Sequence, residues 1–142
     1  MLKASAEEVY SIKDDKTLYN SLELDNIISS KVNYNFFLTK QQNGLLNICT
    51  MRDDDKLIGH WSCILNHHVQ SNDLLIAETQ NIHVLKEYRA SSIKFMKYTE
   101  DVLKKRNVKL LYLAVNPQLK QENLLNKMGF SLDEIVYTKG LI

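Results

Sequence analysis

The stretch "VLKEYRASSIKFMKYTEDVLKKRNVKLLYLAV", residues 84 to 115, decides the fold. Its centre has helical spacing. From about Ser91 to Arg106, the residues Ile93, Phe95, Met96, Val102 and Leu103 share one face, with Lys94, Lys97, Asp101 and Lys104 on the other. Lys104, Lys105 and Arg106 stand where cations complement the helix dipole, and Asn107 tolerates the left-handed conformation that ends a helix. "VKLLYLAV" then runs almost without a polar residue, the pattern of a strand covered on both faces, which predicts a parallel crossover closed by Pro117. Before the helix, a strand end at Val84 and Leu85 runs into a basic residue and a small-residue turn, Arg89, Ala90, Ser91 and Ser92, with no glycine. Unpaired amides and the positive dipole end at such a helix start favour an anion.

Upstream, residues 44 to 85 read as three strands. Asp53, Asp54 and Asp55 separate the first two and "QSND" the next two, turn chemistry that predicts an antiparallel meander. Further upstream, residues 8 to 13 alternate as a short strand. Leu18, Leu22, Leu24, Ile27 and Ile28 predict one or two helices over 17 to 31, with Thr17 as N-cap, and "NYNFFLTK" reads as loop or short strand. Downstream, residues 119 to 128 form a short helix ended by Gly129, and "FSLDEIVYTKGL" reads as a last strand. No repeat, low-complexity tract or linker interrupts residues 1 to 142, so a single domain is expected.

A chain of 142 residues buries about 70% of the surface exposed when unfolded, enough for a real core. Its 44% apolar and 25% charged residues fit a globular domain, and a net charge of +1 argues against general nucleic-acid binding. Neither a signal peptide nor a membrane span is legible, so a cytoplasmic protein is expected. Cys49 and Cys63 lack CxxC spacing and read as reduced, packed thiols.

Taken in order, "AETQNIHVLKEYR", the long helix, "VKLLYLAVNP" and "LLNKMGF" resemble the GNAT N-acetyltransferase superfamily over nearly the whole chain. "LLNKMGF" is similar to the family's "LYEKLGF", and "AETQNIHV" has the rhythm of its fourth strand. The histidine-rich hairpin also resembles small phage-encoded members, which would place the protein in a host cytoplasm. The resemblance implies an α/β (α+β) fold: a mixed, mostly antiparallel sheet flanked by helices, with one splayed strand pair. It implies acetyl-coenzyme A as cosubstrate and an amine-bearing small molecule or protein as acceptor; family members are often homodimers.

The resemblance places the pantetheine arm along Ile82, His83 and Val84, with Asn116 and Pro117 leaving the other side. The pyrophosphate falls to Arg89, Ala90, Ser91, Ser92 and Lys94, although the family's two glycine positions are filled otherwise here. Glu78 matches the family's strand glutamate and is the candidate base for a neutral amine, in a half-buried cleft that raises its pKa; the alternative is a strand glutamate facing water. Gln80 and His67 are substrate-side candidates. The family's tyrosine acid is replaced by Leu125, leaving Tyr112 and Tyr137 as substitutes.

Three other readings stand beside that one. The missing glycines and Leu125 also fit a GNAT-like module that has lost catalysis and binds a protein partner. Arg89, Lys94, Lys97, Lys104, Lys105 and Arg106 on one helix motivate nucleic-acid modification, against the plainer reading of a solvated face. A "QSND" turn centred between Ser71 and Asn72 sets His60 opposite His83, but without a cysteine or paired carboxylate to complete a ligand set, no metal is expected.

Overall fold

The computed structural model describes residues 33–115, 120–137, 139 and 141. The expected strand over 8 to 13, the helices over 17 to 31, and Asn116 and Pro117 lie outside these residues. In chain order the elements are α1 (Tyr34–Gln42), β1 (Leu46–Asp53), β2 (Lys56–His68), β3 (Ser71–Val84), a 3-10 helix (Lys86–Ser91), α2 (Ser92–Lys105), β4 (Val108–Tyr112) and α3 (Glu122–Lys127).

The strands form one four-stranded sheet in the order β1-β2-β3-β4, antiparallel up to β3 and parallel between β3 and β4. The meander and the crossover follow the sequence. Burial on both faces of the crossover strand does not: Val108 is buried, but Leu110 on β4 is 43% exposed. Alternation along β2 turns Trp61, Cys63 and Leu65 toward α2, where with Cys49, Ala77, Phe95, Met96, Leu103 and Val108 they form the core. Trp61 meets Phe95 edge to face, ring centroids 6.5 Å apart, and its indole N–H donates to the Thr79 hydroxyl at 3.0 Å. On α2 the buried stripe is Phe95, Met96, Thr99 and Leu103. Thr99 fits because its hydroxyl donates to the Phe95 carbonyl at 3.1 Å, whereas Ile93, expected in the stripe, is 50% exposed.

Arg106 is not part of a solvated basic face. Its guanidinium folds back to the start of β1, donating to the Leu46 carbonyl at 2.9 Å, Asn47 Oδ1 at 3.0 Å and the Gly44 carbonyl at 2.6 Å. That removes one of the six cations on which a nucleic-acid face would rest. Asn107 takes the expected left-handed conformation with φ 62°, and Gly129 with φ 87° follows α3.

Two expected elements differ. Residues 34 to 42 are helical because Asn33 caps them, its Oδ1 accepting from the Phe36 amide at 3.1 Å; the asparagine cap outweighs weak apolar spacing. Residues 130 to 137 form no strand, and Leu132, Ile135, Val136 and Tyr137 are largely exposed. An alternating pattern yields a strand only where a ladder partner is found, and this segment pairs with none among the described residues.

Candidate functional site

β3 is long enough to pair twice but does so only in part. Its parallel ladder with β4 runs from Leu75 opposite Val108 to Glu78 opposite Tyr112 and stops, while its antiparallel ladder with β2 continues to Val84 opposite Gly59. The end of that ladder falls beside a bulge. Ser62 faces Asn81 and Cys63 faces Thr79, so Gln80 is the extra residue, and an extra residue bends and twists a strand locally. Beyond it no strand among the described residues pairs with the edge of β3 that faced β4. The Leu85 amide donates toward β2, to the Ile58 carbonyl at 2.9 Å; strand alternation therefore turns the amides and carbonyls of Ile82 and Val84 into the opening and those of His83 toward β2.

Glu78 and Tyr112, the last rung, stand together at the apex of this opening on the sheet face opposite α2. Asn66 donates to Glu78 Oε2 at 3.0 Å and fixes the carboxylate. Glu78 is exposed, not half-buried as expected, because the strand it borders ends at Tyr112 and covers it no further. Gln80, also exposed, turns its amide back to the Glu78 carbonyl at 3.3 Å. His83 lies farther along the same face, its ring stacked on buried His60 with centroids 6.1 Å apart.

The His60–His83 pairing arises by a different count from the expected one. The hairpin turns at Val69 and Gln70, with His68 opposite Ser71, and irregularities at His67/His68 and at Gln80 restore the register. His67 pairs with Leu75 at the hairpin end, away from the opening, so the structure does not bring this substrate-side candidate to the apex. Tyr137, 91% exposed on a segment outside the sheet, is likewise not assembled with Glu78. Asn116 lies outside the described residues.

The glycine-free turn is a 3-10 helix that passes directly into α2. Among the described residues positive φ falls at Gly44, Asp54, Asn107, Lys120 and Gly129, so Arg89, Ala90, Ser91 and Ser92 need no glycine. Of the expected backbone donors, the Ser92 amide is already committed to the Arg89 carbonyl. The Ser91 side chain makes no capping hydrogen bond, and Arg89, Ala90, Ser91 and Lys94 are exposed. Ser91 and Lys94 border an open groove of about 530 Å³, lined also by Met51, Ile58, Phe95 and Tyr98.

Sequence reasoning missed Asn66 and the bond from the Tyr88 hydroxyl to Asp53 Oδ2 at 2.6 Å. Asn66 becomes diagonal to Glu78 only through the β2–β3 register, and Tyr88 meets Asp53 across 35 residues; neither leaves a local pattern. Among the described residues, no group of three or more His, Cys, Asp or Glu side chains could hold a metal ion, and no helix is long and apolar enough to cross a membrane.

This mixed sheet, whose third strand outruns its parallel partner, with a helix starting after that strand, is the fold of the GNAT acetyltransferases. The chain is similar to glucosamine-6-phosphate N-acetyltransferase from Arabidopsis thaliana, with TM-score 0.63 and 15% identity over 81% of this chain and 83% of that one. An aminoglycoside acetyltransferase from an uncultured soil metagenomic sample matches with TM-score 0.69 and 7% identity, over 98% of this chain and 89% of that one. AAC(6')-Iy, solved with the bisubstrate analog CoA-S-monomethyl-acetylneamine, matches with TM-score 0.67 and 13% identity, over 99% of this chain and 94% of its own. No protein-family profile matches the sequence, and no curated protein matches it significantly.

Proposed function

We propose that residues 1 to 142 form a single acyltransferase domain that moves an acetyl group from acetyl-coenzyme A to an amine by direct attack, in the cytoplasm. The observation that carries this reading is the end of the β3–β4 ladder at Glu78, beyond which the outward amides and carbonyls of Ile82 and Val84 have no strand partner among the described residues. A pantetheine arm, itself a chain of amides, matches such an edge. The arm would then lead its thioester to the Glu78–Tyr112 rung and its pyrophosphate toward Arg89, Ala90, Ser91 and Lys94 at the start of α2, where cations and helix dipole both favour an anion. His83, with its amide and carbonyl turned to β2, contributes its ring to the wall.

In the reaction, Glu78 takes a proton from the amine directly or through a water, and the nitrogen attacks the thioester carbonyl. A C–N bond forms, the C–S bond breaks, and the departing thiolate takes up a proton. We assign that last proton to Tyr112, a reading supported by its position on the rung beside Glu78, whereas Tyr137 lies off the sheet. Support for an amine acceptor comes from the aminoglycoside and amino-sugar acetyltransferases that share the fold. The committed Ser92 amide and Leu125 in place of the family's tyrosine favour the second reading, a partner-binding module without catalysis.

Calorimetric titration with acetyl-coenzyme A separates the two. Micromolar to submillimolar binding, abolished in Ser92→Glu, is expected. Thiol release with an amine panel should then fall at least 100-fold in Glu78→Gln, as loss of a general base does. No heat and no thermal shift at millimolar cofactor would put the binding module first, and unchanged turnover in Glu78→Gln would remove Glu78 as base.

A further inference from the structure

The 3-10 turn that begins the proposed phosphate site is an exposed segment with few ties to the sheet. Its backbone is anchored where Leu85 donates to Ile58, and Tyr88 donates its amide back to the Leu85 carbonyl at 2.9 Å. Its long-range side-chain tie is Tyr88, whose hydroxyl donates to Asp53 Oδ2 at 2.6 Å, within the range of a charge-assisted O–H···O⁻ bond. The other end of the tie is itself braced. Asp53 ends β1 at a hairpin whose next residue, Asp54, has φ 49°, and Arg52 donates to the Asp55 carbonyl across the tip at 2.9 Å. Tyr88, Asp53, Ser91 and Lys94 all line the same groove, so the bond ends one helical turn from the groups proposed to meet the pyrophosphate.

We infer that Tyr88 and Asp53 form a latch that fixes the Arg89–Ser92 turn and thereby sets the affinity for the acyl donor. Resting on the acyltransferase reading, the latch makes Tyr88 a positioning residue: it holds the segment that binds the donor and has no part in proton transfer. The hydrogen bond to Asp53 raises the phenol's pKa above its ordinary 10.0, so the donor hydrogen is retained throughout the neutral range. Asp53, at the acidic hairpin tip, thereby acquires a role on the donor side.

The test uses the full chain as wild type, Tyr88→Phe, Asp53→Asn and the double variant, with acetyl-coenzyme A as probe. Each single variant should weaken donor affinity about five- to tenfold, the scale of one hydrogen bond to a charged partner. The double variant should weaken it no further, because both changes remove one bond. KM for the donor should rise while kcat at saturating donor stays unchanged, and amide exchange over residues 86 to 92 should quicken with the rest of the protein unaltered. Wild-type binding undiminished in both single variants overturns the latch alone. No binding by the wild type overturns the acyltransferase reading, and the latch's role in donor affinity with it.

Discussion

Replacing Arg106 tests how the end of α2 is secured to the sheet. In Arg106→Ala three acceptors lose their donor: the Gly44 and Leu46 carbonyls and Oδ1 of Asn47, a side chain only 5% exposed. The Gly44 carbonyl is near water and rehydrates at little cost. Asn47 and the neighbouring Leu46 carbonyl are harder to rehydrate, and hydrogen bonds to charged groups contribute about 1.5–3 kcal/mol each, with strong overlap when they share one guanidinium. A loss of about 2–4 kcal/mol is therefore expected, some 5–12 °C in Tm for a domain of this size. Urea denaturation followed by tryptophan fluorescence suits the measurement, because Trp61 is fully buried and is the one tryptophan in the sequence. Arg106→Lys is the informative companion: an ammonium cannot span three acceptors in a planar fork, so it should recover less than half of the loss. Arg106→Ala within about 0.5 kcal/mol of wild type would refute the reasoning and return Arg106 to the solvated face.

Four shorter predictions rest on burial and backbone geometry. Desolvation pushes the Cys63 thiol from 9.0 up to about 11, the Thr79 hydrogen bond only partly opposing it, so native protein at pH 8 should resist alkylation at this site and react only on unfolding. Because the folded pKa is the higher, this contribution is complete below pH 9 and lost as pH rises through 11; the raised Tyr88 adds in the same direction, and a urea midpoint that holds constant from pH 8.5 to 11 would contradict it. A methyl group at Gly59 meets the His83 carbonyl at 3.1 Å, Met51 Cε at 3.2 Å and Val84 Cγ2 at 3.3 Å, so Gly59→Ala should cost about 1–3 kcal/mol by denaturant titration. Asn33→Ala should lower stability by about 1 kcal/mol through the lost α1 cap, with amide exchange in residues 34 to 42 increased.

The parts of the fold that sequence made legible are those set by local chemistry. One amphipathic period and an apolar run foretold α2 and β4 in the right order, and Asn107 and Gly129 marked helix ends where positive φ was needed. Where a pattern depends on a distant partner, sequence reading faltered. "FSLDEIVY" alternates like a strand but finds no ladder among the described residues, and the turn of the second hairpin falls two residues before its most turn-like tetrad centres. The candidate site divides the same way. Glu78 and Tyr112 meet because β3 and β4 pair in parallel, which an apolar strand after a helix foretold. Asn66, Asp53 and Tyr88 join their partners only through registers that no local spacing encodes.

The extra residue in β3 also constrains how this chain can change. With Gln80 present, Ile82 sits across from Trp61 and His83 across from His60. Excising that one unpaired residue would leave these pairs in place and make the ladder continuous, removing the local bend and added twist. The bulge thus absorbs the loss of one residue without a change of partners, whereas losing Asn81 as well would set Ile82 across from Ser62 and His83 across from Trp61, exchanging their faces of the sheet.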